Sequence, residues 1–574
     1  RQFRRILQGL YELYGQDIQE VLPDSLLNEL QLPSLKTAVS TLHFPQETHN
    51  VLHLNEGTIP AHQRMAFEEL LLLQLALTVR RHMVKTESGG IAFSLANVLS
   101  RRFQNLLPFE LTSSQKRVIQ EIEKDMAGLT SMNRLLQGDV GSGKTLVALH
   151  AMVLACGSGY QAALLVPTEV LSEQHFLTVE PYFSQLGLTV VWVKGAQSAR
   201  ERAKVLGQLA SGQAQVAVGT HALLQPEVVF SNLGLVVVDE QHKFGVIQRA
   251  QLRKKSTHPP NVLVMTATPI PRTLAMTVYG DLDVSVIDQS PPGRKPVRTL
   301  LFCEDEREKA YGLLRKEVNA GRQVYIVYPL VERSEKIDLQ AAVQAGERLQ
   351  REEFPEFMVG LLHGRMKSKE KQAVMTAFKA GHIHILVATT VIEVGVDVSN
   401  ATVILIEHPE RFGLAQLHQL RGRVGRGAEQ AYCLLLRSAK KLDAHESLSS
   451  GNPELPLTLS HNNRNEGEDV ELLRNIRQES HRLRVFTQCA DGFSLAKADL
   501  KIRGPGNILG EKQWGTIEFR VADLIRDHNL LVEARQMAKK LLAKDPQLNS
   551  RELEPLRAAM LRKWGETFEL GSIG

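Results

Sequence analysis

The chain has 574 residues, with 68 basic and 63 acidic side chains and a net charge of +5. That length excludes a single hydrophobic core, and so even a charge balance permits nucleic-acid binding without arguing for it. Four cysteines, at 156, 303, 433 and 489, stand too far apart for a disulfide framework or a structural zinc, and the longest apolar runs, such as LLLLQLAL at 70–77, are too short to span a bilayer.

Over residues 1–100 the apolar positions recur at helical spacing, and a helical linker region is expected. Asp24 and Ser25, after a proline, mark a helix start, Pro33 and Pro45 break the pattern, and LNEGTIPAH reads as a polar connection. From 101 to 290 the runs LLQGD, AALLVPT, TVVWVKG, VAVGT, LGLVVVDE and NVLVMTAT alternate with helical stretches. Near-continuous apolar strands separated by helices predict an α/β unit built on a parallel sheet covered on both faces. After PPGRKP the rhythm restarts over 291–440 with VYIVYP, FMVGLLHG, ILVATT, TVILIEH and AYCLLLR. Two such units in tandem predict two lobes facing each other. Residues 441–480 are rich in Ser, Asn, Glu and Gly and are expected to form a disordered polar insertion. The remainder, 481–574, returns to helical spacing around the glycine-rich KIRGPGNILG.

The strongest chemical signal is RLLQGDVGSGKTLVAL at 134–149, which fits G-x-x-x-x-G-K-[ST] between an apolar strand and an apolar helix. Gly138, Gly141 and Gly143 let backbone N–H groups wrap phosphate oxygens at a helix N-terminus. Lys144 reaches the β- and γ-phosphates, and the Thr145 hydroxyl binds Mg²⁺. In VVVDEQHKFG an apolar strand runs into Asp239 and Glu240. Asp239 is placed to hold Mg²⁺, partly through water, and Glu240 to orient and deprotonate the attacking water of ATP hydrolysis. Gln241 and His242 read either as helix-start residues or as relays toward the γ-phosphate and the other lobe. Thr266 and Thr268, in VMTATPIPRTLA, either end a strand or tie the carboxylates to a second site. Gln115, in PFELTSSQKRVI, either pairs with an adenine edge or simply starts a helix. In the second unit QLHQLRGRVGRG places Arg421, Arg423 and Arg426 within six residues. A basic run is ordinarily a solvated face, but its place opposite the phosphate loop points to arginine fingers, with Arg423 and Arg426 completing the ATP site on closure.

The ordered set GDVGSGKT, LLVPTEVL, VGTHAL, DEQH, TATPIPRT, LLHGRM, TTVIEVGVDV and QLRGRVGRG resembles the motif series of superfamily 2 helicases. More narrowly, TATPIPRTLAMTVYGDLDVSVID, PPGR and ERFGLAQLHQLRGRVGRG are similar to the RecG family of bacterial ATP-dependent DNA helicases. DGFSLAKADLKIRGPGNILGEKQWG resembles that family's translocation motif, a helical hairpin and loop, and Arg503, Gln513 and Gly515 fall in it. The likeness covers nearly everything from residue 20 onward, residues 441–480 excepted. It implies two tandem RecA-like helicase lobes, preceded by a helical region and followed by the translocation motif. It implies ATP and Mg²⁺ as cofactors, and branched and duplex DNA at stalled forks and Holliday junctions as substrate. Further implications are 3′–5′ polarity, a monomer that meets single-stranded-DNA-binding protein, and a bacterial, cytoplasmic and nucleoid-associated setting. By motif match Gln115 recognises adenine, and Gly395 and Asp397 line the cleft from the second lobe.

Three departures accompany the likeness. The family's N-terminal wedge, which splits strands at the junction, is expected to be absent, because the residues ahead of the motor read as the linker that follows it. Lys243 and Ser399 stand where the family usually has Arg and Pro, and 441–480 is inserted between two motifs. A motor that hydrolyses ATP and binds duplex DNA while separating strands weakly is the alternative expectation. A transcription-coupled repair motor lacks room for its extra modules, an RNA helicase lacks the translocation motif, and a P-loop kinase leaves the arginine run unexplained.

Overall fold

A computed structural model of the chain describes residues 2–46, 50–86, 89–195, 197–240, 255–256, 258–267, 282–289, 291, 295–329, 343–389, 398–427, 429–437, 481–503, 519–524 and 526–566. The apolar runs become strands. In the first lobe these are β1 (Asn133–Gly138), β2 (Gln161–Leu165), β3 (Val190–Val193), β4 (Val216–Gly219), β5 (Leu233–Val238), β6 (Asn261–Thr266) and β7 (Asp283–Ile287). The second lobe has β8 (Arg298–Cys303), β9 (Gln323–Val327), β10 (Val359–Leu362), β11 (Ile385–Ala388), β12 (Ala401–Glu407) and β13 (Tyr432–Arg437). Every pairing is parallel, in the orders β3-β4-β2-β5-β6-β1-β7 and β10-β11-β9-β12-β13-β8. The expected pair of tandem RecA-like lobes is therefore present.

β2, β5 and β6 are buried along their whole length because helices cover both faces of the sheet. Helices Ser113–Met126, Lys144–Gly157 and Glu169–Gln185 bring Val118, Val147 and Phe183 into the core on one side. Val191, Leu209 and Leu223 fill the other. The sequence reading missed two strands, β7 and β8, which both lie at sheet edges. No residue of β8 is fully buried, and its apolar run is only four residues long, 300–303, too short for periodicity to tell a strand from a helical segment.

A third body is helical and joins the two ends of the chain. The helix Pro60–Thr86 buries Phe67, Leu70, Leu71 and Leu73 against the helices His528–Lys544 and Glu554–Trp564, around Met560 and Trp564. The run LLLLQLAL is thus the centre of a helical core. Asp24–Leu30 starts where Asp24 and Ser25 predict, and Leu35–His43 follows the Pro33 break. The polar connection is shorter than the sequence implies. Val51–Glu56 is helical and Gly57, at φ 68°, closes it just ahead of Pro60.

Polar anchors fix this body. Arg64, fully buried, pairs with Glu20 and with Glu68 at 2.8 Å. Glu69 accepts from the N–H groups of Arg520, Val521 and Ala522 at 3.0–3.2 Å and from Lys563 Nζ at 2.8 Å. Burial alone would raise its pKa, but Lys563 and these N–H groups hold it below the usual carboxylate range. Arg81 ion-pairs with Asp283 and ties the long helix to β7. Among the described residues no helix is long and apolar enough to cross a membrane. Residues 441–480 lie outside the described residues.

Candidate nucleotide site between the two lobes

β5, β6 and β1 are neighbours, so their carboxyl ends bring Asp239, Thr266 and Gly138 side by side. This is where parallel α/β sheets bind ligands. The phosphate loop after β1 turns through Gly141 at φ 77° and Gly143 at φ 86°, a region closed to most side chains. At Gly143 a Cβ would lie 2.4 Å from Gln115 Nε2, so the loop has no room for one. Lys144 is the first residue of the following helix, and its Nζ donates to the carbonyls of Gly138 and Asp139 at 2.8 and 2.9 Å. Thr145 comes next in that helix, and the buried Ser142 Oγ finds no hydrogen-bond partner. A loop with an unmatched buried hydroxyl and replaceable lysine partners fits a polyphosphate.

Gln115 is 3% exposed, and both ends of its amide are engaged. Oε1 accepts from Thr112 N–H at 2.9 Å, closing a capping box, and Nε2 donates to Ser142 O at 2.9 Å. The same amide therefore starts its helix and grips the phosphate loop.

Asp239 continues the β5 ladder through its N–H to Leu165 O at 2.9 Å. Its carboxylate meets His175 Nε2 at 2.9 Å and accepts from Glu240 N–H at 3.0 Å. Burial opposes its charge, yet His175 and Lys144 lower its pKa. Glu240 sits at φ 54°, a backbone conformation that costs a non-glycine residue roughly 1–3 kcal/mol. Burial, with Asp239 beside it, raises the pKa of Glu240. Two adjacent carboxylates are thus pushed apart in acidity, the pattern that separates acid–base roles. Among the described residues no cluster of three or more His, Cys, Asp or Glu could hold a metal. One carboxylate and one hydroxyl, Asp239 and Thr145, suit Mg²⁺, which keeps most of its waters and takes phosphate oxygens.

The second lobe reaches into this site. Arg423 lies close enough to favour Glu240 ionisation, and Arg426 close enough to disfavour the charge on Lys144. A Cβ on Gly422 would fall 2.6 Å from Val140 Cβ, so the arginine turn and the phosphate loop touch. Gln372 Nε2 also donates to Glu173 across the lobes at 2.6 Å. Arg421 behaves differently from its neighbours. It is 4% exposed and donates to the carbonyls of Phe486, Cys489 and Ala490.

Three residues in or around the site escaped the sequence reading: His175, His418 and Asp139. Their partners are hundreds or tens of residues away, so no spacing announces them. Asp139 Oδ1 accepts from Val140 N–H at 2.6 Å and faces His418 Nε2 at 2.5 Å, and Oδ2 accepts from Gly492 N–H at 3.1 Å. Burial would raise its pKa, but His418 and these N–H groups lower it to about 2. Gln241, His242, Lys243, Thr268, Gly395, Asp397, Gln513 and Gly515 lie outside the described residues, as does the side chain of Arg503, whose backbone ends the helix Gly492–Arg503.

Comparison with known proteins agrees with this geometry. A family model described as DEAD/DEAH box helicase matches residues 112–277, one described as helicase conserved C-terminal domain matches 306–428, and one described as ATP-dependent DNA helicase RecG, domain 3, C-terminal, matches 489–565. The ATP-dependent DNA helicase RecG of Synechocystis sp. is 46% identical over 533 residues, 93% of this chain and 59% of that protein. Its counterpart in Bacillus subtilis is 42% identical over 98% of this chain and 76% of its own length, and that of Aquifex aeolicus 42% over 100% and 68%. A solved structure of RecG bound to a three-way DNA junction matches with a TM-score of 0.64 and 41% identity, covering 92% of this chain and 64% of that one. The chain thus spans well under two thirds of the Synechocystis relative's length and up to about three quarters of the others'.

Proposed function

The chain belongs to the RecG family of ATP-dependent DNA helicases, and from that premise we propose that it is an ATP-hydrolysing motor that moves on duplex DNA and remodels branched DNA in recombination and repair. The observation that carries this reading is the composite site, in which Lys144, Asp239 and Glu240 of one lobe face Arg423 and Arg426 of the other. Loop N–H groups and Lys144 receive the phosphates of ATP, and Gln115 reports adenine binding to the loop it grips. Thr145 and Asp239, the latter partly through water, would hold Mg²⁺, which when bound offsets phosphate charge. Glu240, with its raised pKa, takes the proton of the attacking water, while Asp239 stays ionised beside His175. Arg423 and Arg426 stabilise the charge on the transferred phosphoryl group only while the lobes are closed. Hydrolysis removes that anion, the lobes part, and the cycle becomes movement.

Gln241, His242, Thr266 and Thr268 relay nucleotide state along the cleft, to which Gly395 and Asp397 contribute from the second lobe. Arg503 and Gln513 act on duplex DNA. We take the branched substrate from the junction held by the solved relative. Polarity of 3′–5′, a monomeric state, contact with single-stranded-DNA-binding protein and a place at the cytoplasmic nucleoid belong to the same proposal. The decisive assay is ATP hydrolysis with and without a three-way DNA junction. Stimulation that Lys144→Ala abolishes is expected, and hydrolysis indifferent to any DNA, in protein that binds ATP, would refute the motor. Strong stimulation with no strand separation would leave only the weaker motor.

A further inference from the structure

Asp139 sits within the phosphate loop, yet its carboxylate is held by three separate parts of the chain: Val140 beside it, His418 on the second lobe, and the N–H of Gly492 at the start of the helix Gly492–Arg503. The direction of the middle bond is fixed. His418 Nδ1 lies 3.0 Å from Arg421 Nη2, and a guanidinium only donates, so Nδ1 accepts and Nε2 carries the hydrogen given to Asp139. Arg421 donates onward to the carbonyls of Phe486, Cys489 and Ala490 at 3.3, 2.7 and 2.9 Å. Arg421 therefore donates both ways, to the backbone carbonyls of 486–490 and through His418 to the loop, and Gly492 closes the chain of bonds into a ring. His418 and Arg421 are each 4% exposed, so water does not compete for these bonds.

A static brace would be indifferent to nucleotide, but this one is attached where the loop changes partners. Lys144 Nζ donates to the Asp139 carbonyl at 2.9 Å, and a phosphate that draws Lys144 away releases that peptide. We propose that Asp139 is a positioning residue that passes the nucleotide state of the phosphate loop, through His418 and the Gly492 amide, to residues 486–503 at the head of the segment resembling a translocation motif. The consequence for DNA movement rests on the function proposed above; the linkage itself does not.

The test is hydrogen exchange of the 486–495 segment in the full chain, with and without a non-hydrolysable ATP analogue and Mg²⁺. In the unaltered chain nucleotide is expected to change exchange there by about tenfold, the scale of a hydrogen bond to a charged group. Asp139→Ala and His418→Ala should remove the response, and His418→Gln, whose amide still donates to Asp139, should restore it. Junction strands separated per ATP hydrolysed should fall by about tenfold in the two alanine variants. If Asp139→Ala fails to fold, the two His418 variants carry the test. An equal nucleotide response in the unaltered chain and both alanine variants would overturn the proposal. Hydrolysis that ignores DNA, with the exchange response intact and lost in the alanine variants, would overturn the motor and support the linkage.

Discussion

The two lobes repeat one strand order, so β1 matches β8 and β5 matches β12. Val238 pairs with Leu165 as Ile406 pairs with Val327, which sets Asp239 level with Glu407 and Glu240 level with His408. Even the backbone agrees: Glu240 has φ 54° and His408 φ 52°. The helix after the first strand begins with a cation in each lobe, Lys144 and Arg307. What differs is how the charges are satisfied. Arg307 grips Glu407 with two bonds, at 2.6 and 3.0 Å, and Glu407 is 1% exposed. Lys144 instead rests on two carbonyls that a phosphate can displace. A planar guanidinium fork matches a carboxylate and locks it, whereas a point-like ammonium does not. One scaffold position is structural where cation and anion complete each other, and chemical where they are left to a ligand.

The largest effect that would sharpen this contrast is at the second lobe's contribution to the first lobe's site. Arg423→Ala should lower kcat for ATP hydrolysis by about 10³–10⁵-fold, and a loss of less than tenfold in steady-state assays would remove Arg423 from the mechanism. Glu240→Gln comes next, with a fall of about 10²–10⁴-fold while a fluorescent nucleotide still binds. At the matching position in the second lobe, Glu407→Ala should leave hydrolysis per folded molecule intact and cost about 1.5–3 kcal/mol in urea melts, because two charge-assisted bonds are lost while Arg307 keeps Glu304 at 2.8 Å. A stable Glu407→Ala chain with impaired hydrolysis would break the comparison. The smallest effect is acid sensitivity. Asp139 has a folded pKa of about 2 against 3.8 unfolded, so its contribution is complete above pH 3.8 and lost as pH falls toward 2. It amounts to roughly 2 kcal/mol, and the stability difference between Asp139→Asn and the unaltered chain should vanish over that window.

The lobe interiors are legible in the sequence because strands buried on both faces, such as β5 and β6, write unbroken apolar runs. β8 is not, because its run of four apolar residues, 300–303, is too short for periodicity to tell a strand from a helical segment. The helical body is half legible: apolar spacing announces the helix Pro60–Thr86, but an apolar face does not name its partner, which here arrives more than four hundred residues later. The site divides the same way. Lys144 and the Asp239–Glu240 pair stand in linear motifs whose spacing is dictated by a strand end and a phosphate. His175 with Asp239, 64 residues apart, and His418 with Asp139, 279 apart, are set by tertiary packing alone. Gln115 shows a subtler gap: its place announces a helix start, but not that the other end of its amide donates to Ser142 O in the phosphate loop.

Glu69 gathers three consecutive N–H groups, at 520–522, onto the long helix. In the motor proposed here, the stretch that starts on Asp139 at Gly492 is therefore fastened again at Arg520. A lever moves a load only against a fulcrum. In that proposal the helical body is the fulcrum, and the stiffness of Glu69's grip would set how much of each lobe closure reaches the DNA and how much is lost as slack.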